Sequence, residues 1–186
     1  MNDVKDFGPY SVKNVKNFMG RDTYGFNCTL YRDGKKVATC IDDGNGGEID
    51  IQWSGPVPRT GASQEAWKRW HEWKDNEEKI LVSHIQTLPK VKSEYGDGGD
   101  LTIDEGWFVT ELVNKYERDK EIRKMRRQCQ SKTLYRTPDQ GKTQYYIHNA
   151  PFVKQLGDAL RKKYGEDVEL FNEVFEQGGI PSVLKG

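Results

Sequence analysis

The chain lacks most of the features that identify an enzyme, a metalloprotein or a membrane protein. Its three cysteines are an odd number and form no C-x-x-C pair, which argues against a disulfide framework and a structural zinc site. No apolar run approaches the ~20 residues that cross a bilayer, and the first seven residues contain no apolar signal segment. Nucleophile-elbow, zincin, P-loop and dinucleotide-binding motifs are also missing. The sequence therefore predicts a soluble cytoplasmic protein without metal or cofactor, and it gives no positive sign of catalysis.

The chain also has no excess of charge of either sign. Among 186 residues, 29 Lys and Arg balance 29 Asp and Glu, so no global field draws the protein to nucleic acid or membrane. Hydrophobic residues make up 34% of the chain, below the roughly 45–50% of an average domain. Aromatic residues nevertheless reach 11%, which is unlike a disordered chain. We expect one folded domain with a modest core, or at most two small ones, and any charged binding surface must be local.

Residues 1–58 have the pattern of an antiparallel β-meander. Short segments with alternating apolar residues are separated by turn residues, and this pattern is typical of half-buried strands. The dipeptide Asp33-Gly34 is a strong signal for a type I′ hairpin turn, which requires positive φ at both positions. The predicted strands are 12–18, 26–32, 35–41 and 48–53.

The Asp33-Gly34 turn also predicts a register for its hairpin. With a regular two-residue loop, Leu30 pairs with Val37 and Cys28 pairs with Thr39. Side chains alternate between the faces of a sheet, so Cys40 is expected on the face opposite to Cys28. The two thiols would then be unable to bond.

Residues 59–186 are dominated by helical periodicity. Ser63 is the predicted N-cap of the first helix, and the region is interrupted by one short hairpin. The order of sheet, helices, hairpin and helices predicts an α+β fold, in which helices pack on the meander and the chain forms one compact unit. The predicted elements are helices at 63–85, 104–128, 151–164 and 168–175, and a hairpin near 133–147.

Two acidic, glycine-rich loops at 42–48 and 94–105 form the first candidate site. Their carboxylates would repel the phosphates that glycine-rich loops commonly bind, and their spacing does not match a calcium-binding EF-hand loop. Ligand-free turns are the simpler interpretation. If the loops meet in space, however, they favour a cation or a basic partner surface. The residues assigned to partner binding here are Asp42, Asp43, Glu48, Glu94, Asp97 and Asp100.

A tryptophan cluster on the first predicted helix is the second part of this candidate interface. Trp67, Trp70 and Trp73 lie within two turns and span more of the helix circumference than a narrow core stripe needs. Exposed tryptophan is typical of interaction hot spots, so we expect Trp70 and Trp73 to anchor a partner. One alternative is that these indoles dock the helix on the sheet. Another is base stacking, which needs a nearby basic groove that only Lys68, Arg69 and Lys74 would supply.

Residues 115–136 are strongly basic, with nine Lys and Arg against three Asp and Glu. Such a segment would neutralise phosphates, and Tyr135 or Tyr145 would stack on bases. The alternative is a solvated helix face whose cations stabilise the C-terminal end of the helix dipole. The residues assigned to nucleic-acid binding are Arg123, Lys124, Arg126, Arg127, Lys132 and Arg136.

Cys129 is the one candidate nucleophile. It follows Arg126 and Arg127, which would lower the pKa of its thiol. Together with His148 and Asn149 it would make a Cys-His-Asn set, but no local nucleophile signature surrounds it. An incidental cysteine is the simpler interpretation, and we predict no catalytic residue.

Several segments resemble a set of small proteins of unknown function from bacteriophages and prophages. The similar segments are an aromatic strand with an Asp-Gly-Lys hairpin at 24–35, an acidic Gly-Gly loop at 41–47, a Lys-Thr-Leu-Tyr segment at 132–135 and a Lys-Tyr-Gly helix end at 163–165. Together they cover about half of the chain, and none is a catalytic motif. The resemblance carries no active-site residue with it.

The resemblance implies a non-enzymatic protein that acts in a bacterial host cell. Small phage proteins of this kind often bind and block a host protein or a defence complex, as anti-CRISPR proteins do, and the acidic loops would oppose a basic nucleic-acid-binding groove. Two alternatives stay open, namely a nucleic-acid-binding accessory protein that uses residues 115–136 and a small enzyme or ligand-sequestering protein. A homodimer is also open.

Overall fold

The computed structural model describes residues 7–55, 57–92, 100–101, 103–141 and 143–185. Over these residues the chain has the predicted α+β fold. It divides into two compact units, Met1–Tyr116 and Glu117–Gly186. The division lies inside the second long helix, whereas the main change of sequence pattern comes after residue 58.

Nine strands and four helices make up the described chain. In chain order they are β1 (Tyr10–Met19), β2 (Tyr24–Arg32), β3 (Lys35–Asp42), β4 (Asp50–Trp53), α1 (Gln64–Gln86), β5 (Val91–Lys92), β6 (Asp100–Leu101), α2 (Glu105–Cys129), β7 (Thr133–Arg136), β8 (Tyr146–His148), α3 (Lys154–Tyr164), β9 (Glu169–Leu170) and α4 (Phe171–Glu176), followed by a 3-10 turn, Ser182–Leu184. β1 to β4 form an antiparallel sheet in sequential order, which is the predicted meander. β5 pairs with β6, and β7 lies between β8 and β9 in a third sheet.

The core of the first unit lies between the four-stranded sheet and the two long helices. Ser63 caps α1 as predicted, because its Oγ accepts a hydrogen bond from the backbone N–H of Ala66 at 3.3 Å. From α1 and α2, Leu81 and Phe108 are fully buried in the same cluster as the inward side chains of the sheet. This apolar cluster fixes the helices over one sheet face, and on the opposite face Asn27, Thr29 and Thr39 are half-buried.

The hairpin between β2 and β3 has the predicted turn but not the predicted register. Asp33 and Gly34 have φ of 51° and 73°, as a type I′ turn requires. Beyond the turn, Leu30 pairs with Ala38 because Val37 is an extra residue in β3. Val37 and Ala38 are both buried, which marks a β-bulge.

This bulge reverses the predicted placement of the two cysteines in the sheet. Cys28 lies directly opposite Cys40, and both are buried on the core side. A hydrogen bond between the two side chains is the main cause that raises the pKa of Cys40 and lowers that of Cys28. The expectation that the thiols face opposite sides was therefore wrong. Alternation over a few residues does not reveal an inserted residue, so the sequence could not show the bulge.

A buried ion pair connects β2 with α1. Arg32 donates to Glu77 through Nε at 2.9 Å and through Nη2 at 2.6 Å. The Glu77 side chain is only 6% exposed, and that of Arg32 is 25% exposed. Burial is the main cause that raises the pKa of the neighbouring Tyr10 to about 12, and Glu77 adds to it while Arg32 opposes it. The two-point contact fixes the helix against the strand with one defined geometry.

The second unit differs from the prediction at its last helix. Residues 168–175 were expected to be helical throughout, but Glu169 and Leu170 form β9, and α4 begins only at Phe171. Leu170 pairs with Tyr135 of β7. This strand pairing is a contact between distant residues, and it overrides the local helical pattern.

Asn172 links three segments of the second unit. It is 6% exposed, and its Oδ1 accepts a hydrogen bond from the backbone N–H of Leu134 at 3.1 Å. Its Nδ2 donates to the backbone oxygens of Cys129 and Lys132, each at 3.0 Å. One amide thus joins the end of α2 to β7 and to α4, and it satisfies backbone groups that would otherwise be buried without a partner.

Candidate functional site

One candidate site is a cavity of about 830 Å³ in the first unit. It is bounded by the loop before β4, by β4 itself, by the middle of α1 and by the first turns of α2. We call it the acidic cavity. Its lining residues are Asp42, Gly46, Gly47, Glu48, Ile49, Ile51, Trp53, Lys74, Glu78, Asp104, Glu105, Gly106, Trp107 and Thr110.

The floor of the acidic cavity is apolar and aromatic. Ile49, Ile51 and Trp53 alternate along the same side of the chain at β4, and each is half-buried. Trp107 contributes a second indole from the first turn of α2 and is also half-buried. All four side chains pack against the core of the unit, so the floor is fixed by the fold.

The rim of the acidic cavity carries a net negative charge. Five carboxylates line it, and Lys74 is the one cation among its described lining residues. Lys74 Nζ lies 3.8 Å from Glu78 Oε2, one helical turn further along α1. The carboxylates come from Asp42, Glu48, Glu78, Asp104 and Glu105. A low-dielectric floor beneath a rim of net negative charge focuses the field and attracts cations.

The structure brings the two predicted acidic loops to this one cavity. The first loop contributes Asp42 and Glu48, and the end of the second contributes Asp104 and Glu105. Asp104 has a structural role as well, because its Oδ1 accepts the backbone N–H of Trp107 at 2.7 Å and caps α2. The cap orients Trp107 and keeps a carboxylate at the mouth of the cavity.

Not all of the assigned acidic residues line the cavity. Asp43 instead stabilises its own loop, since its carboxylate accepts the backbone N–H of Asn45 at 2.9 Å. Asp100 lies 3.1 Å from the ammonium of Lys90. Glu94 and Asp97 lie outside the described residues.

The first acidic loop is held in place by the turn between β1 and β2. The carbonyl oxygen of Gly44 accepts backbone N–H groups from Asp22 at 3.0 Å and Thr23 at 2.9 Å. Gly44 has φ of 70°, and a Cβ there would lie 2.5 Å from the backbone oxygen of Thr23. Only glycine fits this position. These contacts give the loop a defined shape.

None of the three tryptophans of α1 lines the acidic cavity. Trp70 and Trp73 are both half-buried, and Trp73 packs over the backbone of Gly55. Trp67, which the assignment left out, is the most exposed of the three at 37%. The cavity instead uses Trp53 and Trp107, which sequence analysis did not assign to a site. The one available signal was that Trp107 lies three residues after Asp104, where the second long helix was predicted to start.

The basic residues of α2 lie opposite its buried side. Met125 is 2% exposed, whereas Arg123, Lys124, Arg126 and Arg127 are all exposed. Lys124 forms an ion pair with Glu121 at 3.1 Å, and the guanidinium of Arg126 lies 5.2 Å from the centre of the Phe175 ring. These contacts are solvent-exposed and contribute little to stability.

Two further assigned residues, Lys132 and Arg136, are half-buried. Arg136 donates to Ser182 Oγ at 2.9 Å and to the backbone oxygen of Gln140 at 3.3 Å. Its guanidinium is thus engaged within the second unit. Contact with a phosphate at this position would require those hydrogen bonds to be exchanged.

The predicted stacking residues do not offer open rings. Tyr135 is 9% exposed, so a base does not reach it, and this assignment was wrong. Tyr145 is half-buried, with its ring 5.4 Å from that of Phe171. Both side chains belong to the small cores of the second unit. The exposed tyrosine of this region is Tyr146, at 45%.

Cys129 does not have the activated thiol that its arginine neighbours suggested. Burial raises the pKa of this thiol to about 11. The side chain packs against Met125, Leu134 and Phe171, while Arg126 and Arg127 are exposed to solvent. The predicted direction of the pKa shift was therefore wrong, because adjacency in sequence did not place the cations beside the sulfur.

Within the described segments, no group of three His, Cys, Asp or Glu side chains is arranged to hold a metal ion. None of the helices there combines the length and the apolar character needed to cross a bilayer. Comparison with known protein families, curated proteins and solved structures found no match to this chain.

Proposed function

We propose that the protein is a non-enzymatic binding protein whose acidic cavity engages a basic surface of a macromolecular partner. The observation that carries this proposal is the meeting of five carboxylates around an apolar floor with two indoles. Each feature alone is common on protein surfaces. Their combination in a cavity of about 830 Å³ gives both a charge and a shape for recognition.

The chemistry of the acidic cavity suits a lysine or arginine side chain. The aliphatic stem of such a residue would lie on Ile49 and Ile51, as long cationic side chains commonly cover apolar surface. Its charged head would reach the carboxylates, and an arginine would also lie against Trp53 or Trp107. Several such side chains on one partner would increase affinity and would make association depend on salt.

The partner class follows from the resemblance to bacteriophage and prophage proteins. Within this proposal the partner is a bacterial host or defence protein with a basic groove that binds nucleic acid. Occupation of that groove by the acidic face would exclude the nucleic acid and block the complex. The sign of the charge supports this partner over nucleic acid at the same site, because carboxylates repel phosphates.

Binding of a labelled arginine-rich peptide, followed by fluorescence anisotropy, tests the chemistry directly. The test variant combines Glu48→Gln with Glu105→Gln, which removes two rim charges and keeps side-chain size. We expect about tenfold weaker binding, since two such contacts together contribute about 1.4 kcal/mol. Affinity of the unchanged protein should also fall as salt is raised.

The matched control combines Glu72→Gln with Asp75→Asn. Both residues are exposed on α1 and neither lines the acidic cavity, so the same net charge is removed elsewhere. We expect less than a twofold change for this control. Equal losses for the two double variants would show that only net charge matters, and they would contradict the assignment to the cavity. The same two double variants test the blocking step. For a captured partner, the experiment measures how well each variant displaces nucleic acid from that partner.

A further inference from the structure

The four-stranded sheet has a second face, which points away from α1 and α2. Along β2, Cys28 and Leu30 are buried in the core with the helices, so Asn27, Thr29 and Tyr31 project to the other side. Residues directly opposite each other in an antiparallel pair share a side, so the strand register defines the rest of this outer face. Its charged and aromatic members are Lys13, Lys16, Phe18, Tyr31, Lys36 and Asp50.

The outer face is basic. Lys13, Lys16 and Lys36 are exposed, and Asp50 is the one carboxylate among the described residues that strand pairing places on this face. Asp50 lies on β4, three strands from β1 and thus about 14 Å from it. The two lysines of β1 pair with residues two apart on β2, which are about 7 Å from each other. The side of the face formed by β1 and β2 therefore carries a row of cations.

An aromatic ring lies at each end of this row. Phe18 is 37% exposed, and its ring lies over the backbone of Gly25, where a Cβ would come within 2.9 Å of Phe18 Cε2. At the other end Tyr31 is half-buried, with Lys13 Nζ 4.7 Å from the centre of its ring. Gly25, the partner of Phe18, lies six residues before Tyr31 on β2, which is about 20 Å. The order is thus aromatic, cation, cation, aromatic along two neighbouring strands.

We propose that the outer face binds a single-stranded nucleic acid, with a base stacked on Phe18 and the neighbouring phosphates on Lys16 and Lys13. Aromatic rings that accept bases beside cations that accept phosphates are the chemistry by which strands are bound without sequence preference. Lys13 would exchange its weak contact with Tyr31 for a phosphate, which leaves that ring to a second base. A duplex would not fit, since its bases are already stacked on one another.

This site is independent of the acidic cavity and goes beyond the function proposed above. Ile51 of the cavity floor pairs with Cys40, which is buried in the core, so the cavity and the outer face lie on opposite sides of the sheet. The Glu48→Gln, Glu105→Gln variant should therefore bind single strands within twofold of the unchanged protein. Failure of either proposal leaves the other testable.

The first test measures anisotropy of a labelled oligothymidylate at low salt. We expect Phe18→Ala to weaken binding about tenfold, because the stacked base loses its platform. Met19→Ala is the matched control, since Met19 is the next residue of β1, is 66% exposed and projects to the other side of the strand. It should change affinity less than twofold. Phe18→Trp keeps an aromatic ring and should keep the affinity, which separates loss of stacking from a change of fold.

The second test measures the salt dependence of the same binding for Lys13→Gln with Lys16→Gln. On a single strand each neutralised phosphate contributes about 0.7 to the slope of log K against log salt, so this double variant should lower the slope by about 1.4. The matched control is Lys68→Gln with Lys79→Gln, because both lysines are exposed on α1, on the helix side of the sheet. The control should leave the slope unchanged.

Four results would overturn the proposal. One is the absence of single-strand binding by the unchanged protein at low salt, where the electrostatic contribution is largest. Another is an equal loss of affinity for Phe18→Ala and Met19→Ala, and a third is an equal change of slope for the two lysine pairs. The fourth is equal affinity for inorganic polyphosphate or for a duplex of the same charge, since neither offers a free base to Phe18.

Discussion

The two units of this chain carry opposite charges. The first has 15 Lys and Arg against 19 Asp and Glu, and the second has 14 against 10. The formal net charge of zero is therefore the sum of −4 and +4. A net charge of zero therefore hides two oppositely charged units, and the acidic cavity has the same sign as the unit that contains it.

The units also differ in what holds them together. Fifteen buried residues of the described chain form one sheet-and-helix core in the first unit, whereas the second has two small clusters of four and three. Burial of apolar area therefore contributes more to the first unit. The second unit depends more on specific hydrogen bonds, above all those of Asn172. Local stability should respond differently to polar substitutions in the two units.

Asn172→Ala should have the largest effect. The change removes three hydrogen bonds and leaves buried backbone groups without partners, so we expect a loss of about 4 kcal/mol in the stability of the second unit. Hydrogen exchange resolved by peptide would show faster exchange in β7 and α4 and little change in β2 and β3. Asn149→Ala, at an exposed position, is the control. Equally faster hydrogen exchange in both units would contradict the expectation that Asn172 stabilises the second unit in particular.

Glu77→Gln should have an intermediate effect and should act in the first unit. The amide retains a hydrogen bond to Arg32 but loses the charge of the pair, and we expect a loss of about 2 kcal/mol because Arg32 is partly solvated. Denaturant unfolding of the variant measures this difference. Glu78→Gln is the control, since the neighbouring carboxylate is exposed. If Glu77→Gln lowered the free energy of unfolding no more than the control does, the apolar core alone would fix α1 on the sheet.

The pH dependence of Cys129 alkylation is the smallest expected effect. It measures how well the core of the second unit shields this thiol. Burial raises the pKa of this thiol to about 11. Because the thiolate is the form that reacts, the alkylation rate should rise about tenfold for each pH unit between about pH 7 and about pH 10. The buried Cys28 and Cys40 should react more slowly still. The thiol stays protonated in the fold, so its contribution to stability is present below its ordinary pKa and declines as pH rises above it. A rate that levels off near the ordinary pKa would indicate an exposed thiol.

The features that sequence analysis predicted are those that depend on neighbouring residues. The Asp33-Gly34 turn needs only two residues with positive φ, and Ser63 needs only the three residues that follow it to cap α1. The start of the second long helix near Asp104 follows from the same kind of local chemistry. Such signals lie within one turn of the chain, so a single sequence contains them.

The missed features depend on contacts between distant residues. β9 exists because Leu170 pairs with Tyr135, and the local helical pattern contains no sign of that partner. The acidic cavity needs Trp53 from a strand and Trp107 from a helix to share one floor. Burial likewise raises the pKa of Cys129, whereas the arginines next to it in sequence had predicted a lower pKa. Each of these outcomes requires the tertiary structure before it can be stated.

The bulge at the extra residue Val37 determines which side of the sheet Asp42 faces. Cys40 faces the core, and Asp42, two residues later, shares its side of the sheet and lines the cavity. In the regular register, Val37, Thr39 and Ile41 would face the core, and Asp42 would point away from it. Without Val37, the shortened hairpin would pair regularly, with Ala38, Cys40 and Asp42 still opposite Leu30, Cys28 and Phe26. The one extra residue of β3 therefore lets two consecutive apolar side chains, those of Val37 and Ala38, be buried while Asp42 stays on the side of the cavity.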